Sequence, residues 1–137
     1  MIAHRRLAIF IVALAGIAAQ TARAEDLGGY TGAQLYHRFC AACHGDSGHG
    51  DGAVAPFFKL APPDLTLIAK RHGGVFPAEA ITKIVDGRET HAPHGSREMP
   101  VWGLNFQMAD PDNPNRQKQA VEMISKLVEH LRSIQGK

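Results

Sequence analysis

Apolar residues recur along this chain at intervals of three and four, the period of helices buried along one face. No segment carries a convincing alternation at intervals of two, the mark of a half-buried strand. The first stripe after residue 30 is Leu35, Tyr36, Phe39 and Cys43. Ahead of it stands Thr31-Gly32-Ala33-Gln34, a T-x-x-Q capping box whose two side chains satisfy the first free N–H groups of a helix. From Gly45 to Pro63 the glycines, with Asp46, Ser47 and Asp51, predict a loop, and Pro62-Pro63 ends it in fixed extended backbone. Asp64 is placed to cap a short helix from Leu65 to Arg71, which runs out near Gly73-Gly74. Pro77 suits the first position of the next helix, with Glu79 in its first turn, Ile81, Ile84 and Val85 as its stripe, and Gly87 past its end. Residues 86–103 predict a long irregular loop, and one of that length in a small domain usually serves function. Asn105 to Asn115, polar and carrying Pro111 and Pro114, predicts another. The last helix begins near Arg116, buries Val121, Ile124, Leu127, Val128, Leu131 and Ile134, and stops before Gly136. The expected fold class is all-α.

The N-terminus has a different pattern. His4, Arg5 and Arg6 precede an unbroken apolar run, Leu7 to Ala19, and Ala22-Arg23-Ala24 follows. That is the order of a secretory signal peptide with a small-x-small cleavage site. The run is 13 residues long, whereas a membrane-spanning helix needs about 20. Residues 1–24 are therefore expected to be cleaved, leaving one domain of residues 25–137 in the periplasm with no stable membrane insertion. Cleavage also changes the charge. The leader holds Arg5, Arg6 and Arg23 and no acid, so the chain's 15 basic residues fall to 12 against 13 acidic ones, and the formal charge moves from +2 to −1. Nothing in that balance argues for nucleic acid or a charged membrane surface. A core this small is marginal by area alone.

The chemistry is concentrated in Cys40-Ala41-Ala42-Cys43-His44, which contains both cysteines of the chain. A C-x-x-C-H run reads as c-type haem attachment. On a helix the three side chains stand at i, i+3 and i+4 and share a face, so two thiols can meet two porphyrin vinyl groups while the imidazole reaches the iron. A disulfide across so small a loop would constrain the unfolded chain little. A thioredoxin-like pair belongs in a βαβ setting, which is missing, and a zinc site wants a second ligand pair, also missing. The expected cofactor is one covalent haem c with its iron, held by Cys40 and Cys43 and ligated by His44.

With these features in view, the chain resembles the class I c-type cytochromes of the small bacterial monohaem kind. The likeness is carried by Gly32 and Tyr36, Cys40-Ala41-Ala42-Cys43-His44-Gly45, Gly48-His49-Gly50-Asp51-Gly52, Ala61-Pro62-Pro63-Asp64-Leu65-Thr66, Met99-Pro100-Val101-Trp102-Gly103, and the final Leu127-Val128-Glu129-His130-Leu131-Arg132. It implies that a carbonyl of the Pro62-Pro63 turn accepts the Nδ1–H of His44, an interaction that orients the ring and raises its basicity. It also implies that the first and last helices cross beside the haem, with Gly32 allowing close approach and Tyr36 packing nearby. Where the family commonly has an aromatic at that crossing, this chain has His130. His49 reads as solvated, and Phe57, Phe58 and Leu60 as packing on one face of the ring.

Met99, just before Pro100, is the expected sixth ligand, in part by the family likeness. A thioether is a soft ligand that raises a cytochrome's potential. Met108, Met123 and His130 fit the role poorly, while His91 and His94 compete with it because imidazole binds ferric iron well. Trp102 reads as packing near a propionate or simply in the core. Three functions follow in order. The first is a one-electron carrier, not an enzyme, shuttling between redox partner proteins. The second is an electron-transfer subunit of a larger oxidoreductase complex. The third is a haem peroxidase or gas binder using His91 or His94 as a distal group. Lys59, Lys70, Arg71, Arg88 and Arg97 suggest a docking rim, though scattered surface charges contribute little by default. Either a monomer or a subunit of a redox complex accords with the sequence.

Overall fold

The computed structural model describes residues 27–87, 99–100, 102–109 and 112–136. The expected signal peptide, His91, His94, Arg88 and Arg97 all lie outside the described residues. Among the described residues there are six α-helices and no strand: α1 (Gly32–Phe39), α2 (Ala41–His44), α3 (Ile68–Arg71), α4 (Ala78–Asp86), α5 (Trp102–Met108) and α6 (Arg116–Ser133). Short 3₁₀ turns occupy Leu27–Gly29, Ala55–Phe57 and Leu65–Leu67. This is the all-α architecture that the periodicity anticipates.

Helix α6 is the spine, and α1, α4 and α5 all pack against it. It presents Ala120, Met123, Ile124, Leu127, Val128 and Leu131, spaced by three and four, and all are buried. Val121, placed in the stripe by sequence, is 55% exposed. Ala120 takes the inward position instead, because that residue is in phase with Met123 and Ile124 and Val121 is not. Full burial of a leucine such as Leu127 stabilises the fold by about 1.5–3 kcal/mol.

Helix α1 begins as its capping box requires. The Gln34 N–H donates to Thr31 Oγ1 at 3.2 Å, and the Thr31 N–H donates to Gln34 Oε1 at 2.9 Å. Where α1 meets α6, Gly32 lies so close that a Cβ there would fall on the Lys126 carbonyl oxygen and 3.0 Å from His130 Cβ. Lys126 fastens the same junction, donating from Nζ to the carbonyls of Gly28 at 2.7 Å and Tyr30 at 3.2 Å.

Three elements depart from the sequence reading. The single expected helix through Cys43 divides at Cys40, whose backbone (φ −119°, ψ −37°) leaves helical geometry between α1 and α2. Pro77 precedes α4 as its cap residue, one place before the expected position. The third is larger: Trp102 and Gly103, expected to end the loop of residues 86–103, and part of the expected Asn105–Asn115 loop form helix α5. The polar residues Asn105 and Gln107 disguised it. Tertiary contact decides the matter, since Trp102 and Phe106 stand one turn apart with Gly103 and Phe106 buried, and the prolines come only after the helix has ended.

Candidate functional site

Helix α2 is one turn long, and its free carbonyls would be costly if left unpaired. The loop that follows folds back to satisfy them. The N–H groups of Val54, Gly52 and Gly50 donate to the carbonyls of Ala42, Cys43 and His44 at 3.0, 3.2 and 2.8 Å. Gly45 makes the fold-back possible with φ +78°, a left-handed conformation that glycine alone adopts freely. Its carbonyl accepts from the buried Tyr36 hydroxyl at 2.7 Å, which ties α1 to the end of α2. Burial, and after it the acidic groups of Cys40, Asp46 and Asp51, push the Tyr36 phenol up to about 12.

Cys40 and Cys43 are both half-buried and both free thiols. Burial first, then the neighbouring Cys43, pushes the Cys40 thiol up to about 12. His44 follows at once, with its Nδ1 3.3 Å from the Pro63 carbonyl oxygen. A carbonyl can only accept, so Nδ1 carries the proton and the lone pair is left on Nε2. Burial lowers the pKa of this imidazole, and the bond to Pro63 opposes that shift. The result is a neutral ring with Nε2 free to accept or to bind a metal ion. Of the two prolines in the turn, Pro63 is the one that supplies the carbonyl.

The turn carrying Pro63 is held from both sides. The Leu65 N–H donates to the Gly48 carbonyl at 2.7 Å, and Asp64 caps the 3₁₀ turn by accepting from the Thr66 N–H at 2.8 Å. Hydrogen bonds from the Thr66 side chain and then from His49 hold the Asp64 carboxyl down to about 2. His49, read as solvated, is 55% exposed and yet engaged, with its Nδ1 3.1 Å from Asp64 Oδ2. At the far end of the chain, Gln135 accepts from the Ala69 N–H and donates to the Leu65 carbonyl, both at 2.8 Å, so the C-terminus clasps this helical segment.

Met99 is half-buried at the margin of the apolar core, as Cys40 and Trp102 are. Phe39, Trp102 and Phe106 form an aromatic cluster with ring centroids 5.1–6.0 Å apart. Trp102 is thus a packing residue. Among the described residues the two other methionines are placed differently, with Met108 66% exposed and Met123 on the buried face of α6. Phe57 and Leu60 stand exposed on the loop over α2, and Phe58 is half-buried. His130 packs its ring on Tyr36 at 5.0 Å, and burial lowers its pKa, so it serves as the flat neutral partner at the helix crossing. The Tyr36–Gly45 and His49–Asp64 contacts carry no local sequence signal, since the partners lie 9 and 15 residues apart.

Two free thiols within one turn, an imidazole whose tautomer exposes Nε2, and an adjoining apolar and aromatic wall fit a c-type haem. The two thiols are unpaired, and the described residues include no group of three or more His, Cys, Asp or Glu side chains suited to a metal ion. The model of one protein family, described as cytochrome C oxidase, cbb3-type, subunit III, matches residues 29–113, more than half of the chain. Neither curated proteins nor solved structures give a significant match.

Proposed function

The chain belongs to the family of cytochrome C oxidase, cbb3-type, subunit III, hence to the class I c-type cytochromes that bind haem c and transfer electrons, and from that premise we propose how its own residues serve that function. Cys40 and Cys43 would hold the haem by thioethers, and His44 and Met99 would ligate its iron. The haem supplies a one-electron couple. The protein's part would be to fix the imidazole, exclude water along the apolar wall of Phe39, Trp102 and Phe106, and offer the iron two ligands, His44 and Met99, leaving no position for a substrate. It acts as a carrier between redox partner proteins and not as an enzyme, exported to the periplasm as residues 25–137. The observation that carries this reading is the His44 Nδ1 contact with the Pro63 carbonyl, 3.3 Å long, because it leaves a ligating nitrogen beside two free thiols.

A second reading is favoured by the family's description as an oxidase subunit. The same chemistry then operates in a permanent complex, with the electron passing to a fixed neighbour. Purification from native membranes and soluble extract separates the two readings: a carrier is recovered alone, a subunit with its oxidase.

The site itself is tested by intact mass and spectroscopy. The exported protein should lack 24 residues and carry one haem that acid solvent does not extract. Its oxidised form should show a weak thioether-to-iron band at the red end of the visible spectrum, lost in Met99→Ala and kept in His91→Ala and His94→Ala. Wild-type protein should bind carbon monoxide poorly and Met99→Ala readily. Extractable haem, or a band that survives Met99→Ala, overturns the assignment.

A further inference from the structure

The bond that selects the His44 tautomer is long. Ordinary N–H···O hydrogen bonds lie at about 2.7–3.2 Å, and the separation from Pro63 is 3.3 Å. At that length a shift of a few tenths of an ångström decides whether the bond persists, so its strength depends on what holds the carbonyl. The carbonyl belongs to the Pro63–Asp64 peptide. Asp64 is gripped on its far side by the Thr66 N–H at 2.8 Å, the Thr66 hydroxyl at 2.6 Å, and Arg71 Nη2, which donates to the Asp64 carbonyl at 2.8 Å. On its near side it meets the glycine-rich loop through His49.

That loop is laced between the axial imidazole's own backbone and the proline turn. The Gly50 N–H donates to the His44 carbonyl at 2.8 Å, and the Leu65 N–H donates to the Gly48 carbonyl at 2.7 Å. Gly50 is pressed against the turn so tightly that a Cβ would fall on the Pro62 carbonyl oxygen and 3.4 Å from the Pro63 carbonyl carbon. His49 lies between these two backbone bonds and reaches Asp64. An exposed pair of this kind adds little to global stability. Its place in the lacing gives it a different use.

We propose that His49 and Asp64 are positioning residues for the axial imidazole: their contact fixes the Pro63–Asp64 peptide so that its carbonyl retains the Nδ1 proton of His44. The inference rests on the reading of His44 as an iron ligand. A carbonyl on Nδ1–H makes the ring a stronger donor, which favours ferric iron and lowers the potential. Releasing the clasp lets the carbonyl drift, weakens the ring as a donor and raises the potential.

The test uses the haem-loaded protein. His49→Ala should raise the midpoint potential in a redox titration. By NMR it should speed exchange of the His44 Nδ1 proton roughly fivefold or more, the factor expected when one neutral hydrogen bond is lost. Its thermal midpoint should stay close to wild type. His49→Gln, which keeps a donor, should recover part of both changes, and His49→Ala combined with Asp64→Asn should move neither much beyond His49→Ala alone. His37→Ala is the control, since it removes another exposed histidine–carboxylate pair (His37 to Asp46, 3.6 Å) that is not tied to Pro63. If His49→Ala shifts potential and exchange no more than His37→Ala does, or shifts only the thermal midpoint, the inference is overturned while the haem assignment stands. If His44→Ala keeps the wild-type low-spin spectrum, the ligand assignment fails and the inference falls with it.

Discussion

Substituting Gly32 by alanine tests the helix crossing on which the site is built. The backbone at Gly32 has no positive φ, so alanine meets no conformational penalty there. The penalty is steric and comes from backbone. The new methyl would overlap the Lys126 carbonyl oxygen and stand 2.9 Å from its carbon and 3.0 Å from His130 Cβ. Carbon atoms rest at about 3.5–4.0 Å, so α1 must move off α6 by up to about 1 Å. Overpacking of this kind costs about 1–3 kcal/mol. The same movement stretches the two Lys126 Nζ bonds to Gly28 and Tyr30, each contributing about 0.5–1.5 kcal/mol. Against this, the helix gains at most about 1 kcal/mol from replacing glycine. The net expectation is a loss of about 2 kcal/mol, or a thermal midpoint lower by roughly 10 °C. Gly29 is the matched control, with open space around its Cβ position. Urea titration of wild type, Gly32→Ala and Gly29→Ala measures the differences directly. A Gly32→Ala protein as stable as wild type would falsify the close crossing.

Two further predictions concern its neighbours. Tyr36→Phe deletes the bond to the Gly45 carbonyl and should cost about 1–2 kcal/mol by urea titration; because the folded phenol is raised to about 12 from 10.0, wild type should lose stability as pH climbs from 10 through 12, and the variant should lack that loss. His130, its pKa lowered by burial, stabilises the fold as a neutral ring above its unfolded value of about 6.5, so stability should fall as pH drops below that point through the folded value, and His130→Phe should flatten the fall in haem-loaded protein melted between pH 7 and 5.

Much of this structure was legible before any coordinates because its signals are local. Thr31 and Gln34 are three residues apart, and Cys40 to His44 are one turn, so spacing alone states what they can do. The stripe of α6 is long enough for its phase to be read, apart from the choice between Ala120 and Val121, where size misleads and angle decides. Helix α5 stayed hidden for the opposite reason. Seven residues holding Asn105 and Gln107 carry too little periodicity, and the helix exists because Phe39 and α6 offer Trp102 and Phe106 somewhere to pack. The family likeness brought a proline carbonyl to His44, but only the fold could choose Pro63. His49 looked like one more polar residue among glycines, because its partner arrives from beyond a proline turn.

The meeting of α1 with α6 has a kinetic side. The faces of Leu35 and Tyr36 are covered by a helix that begins at Arg116, about eighty residues later, and contacts closed across so long an interval form late. Cys40, which packs against that core, is therefore covered late. In the closed fold without haem, the Cys40 thiol is raised to about 12 and little thiolate, the reactive form, remains near neutral pH. A chain that closed before loading would hold Cys40 as an unreactive thiol, so attachment to the haem belongs to the chain while it is still loose. A weakened crossing should leave covalent loading intact, so Gly32→Ala should carry as much haem per chain as wild type even as it unfolds more easily.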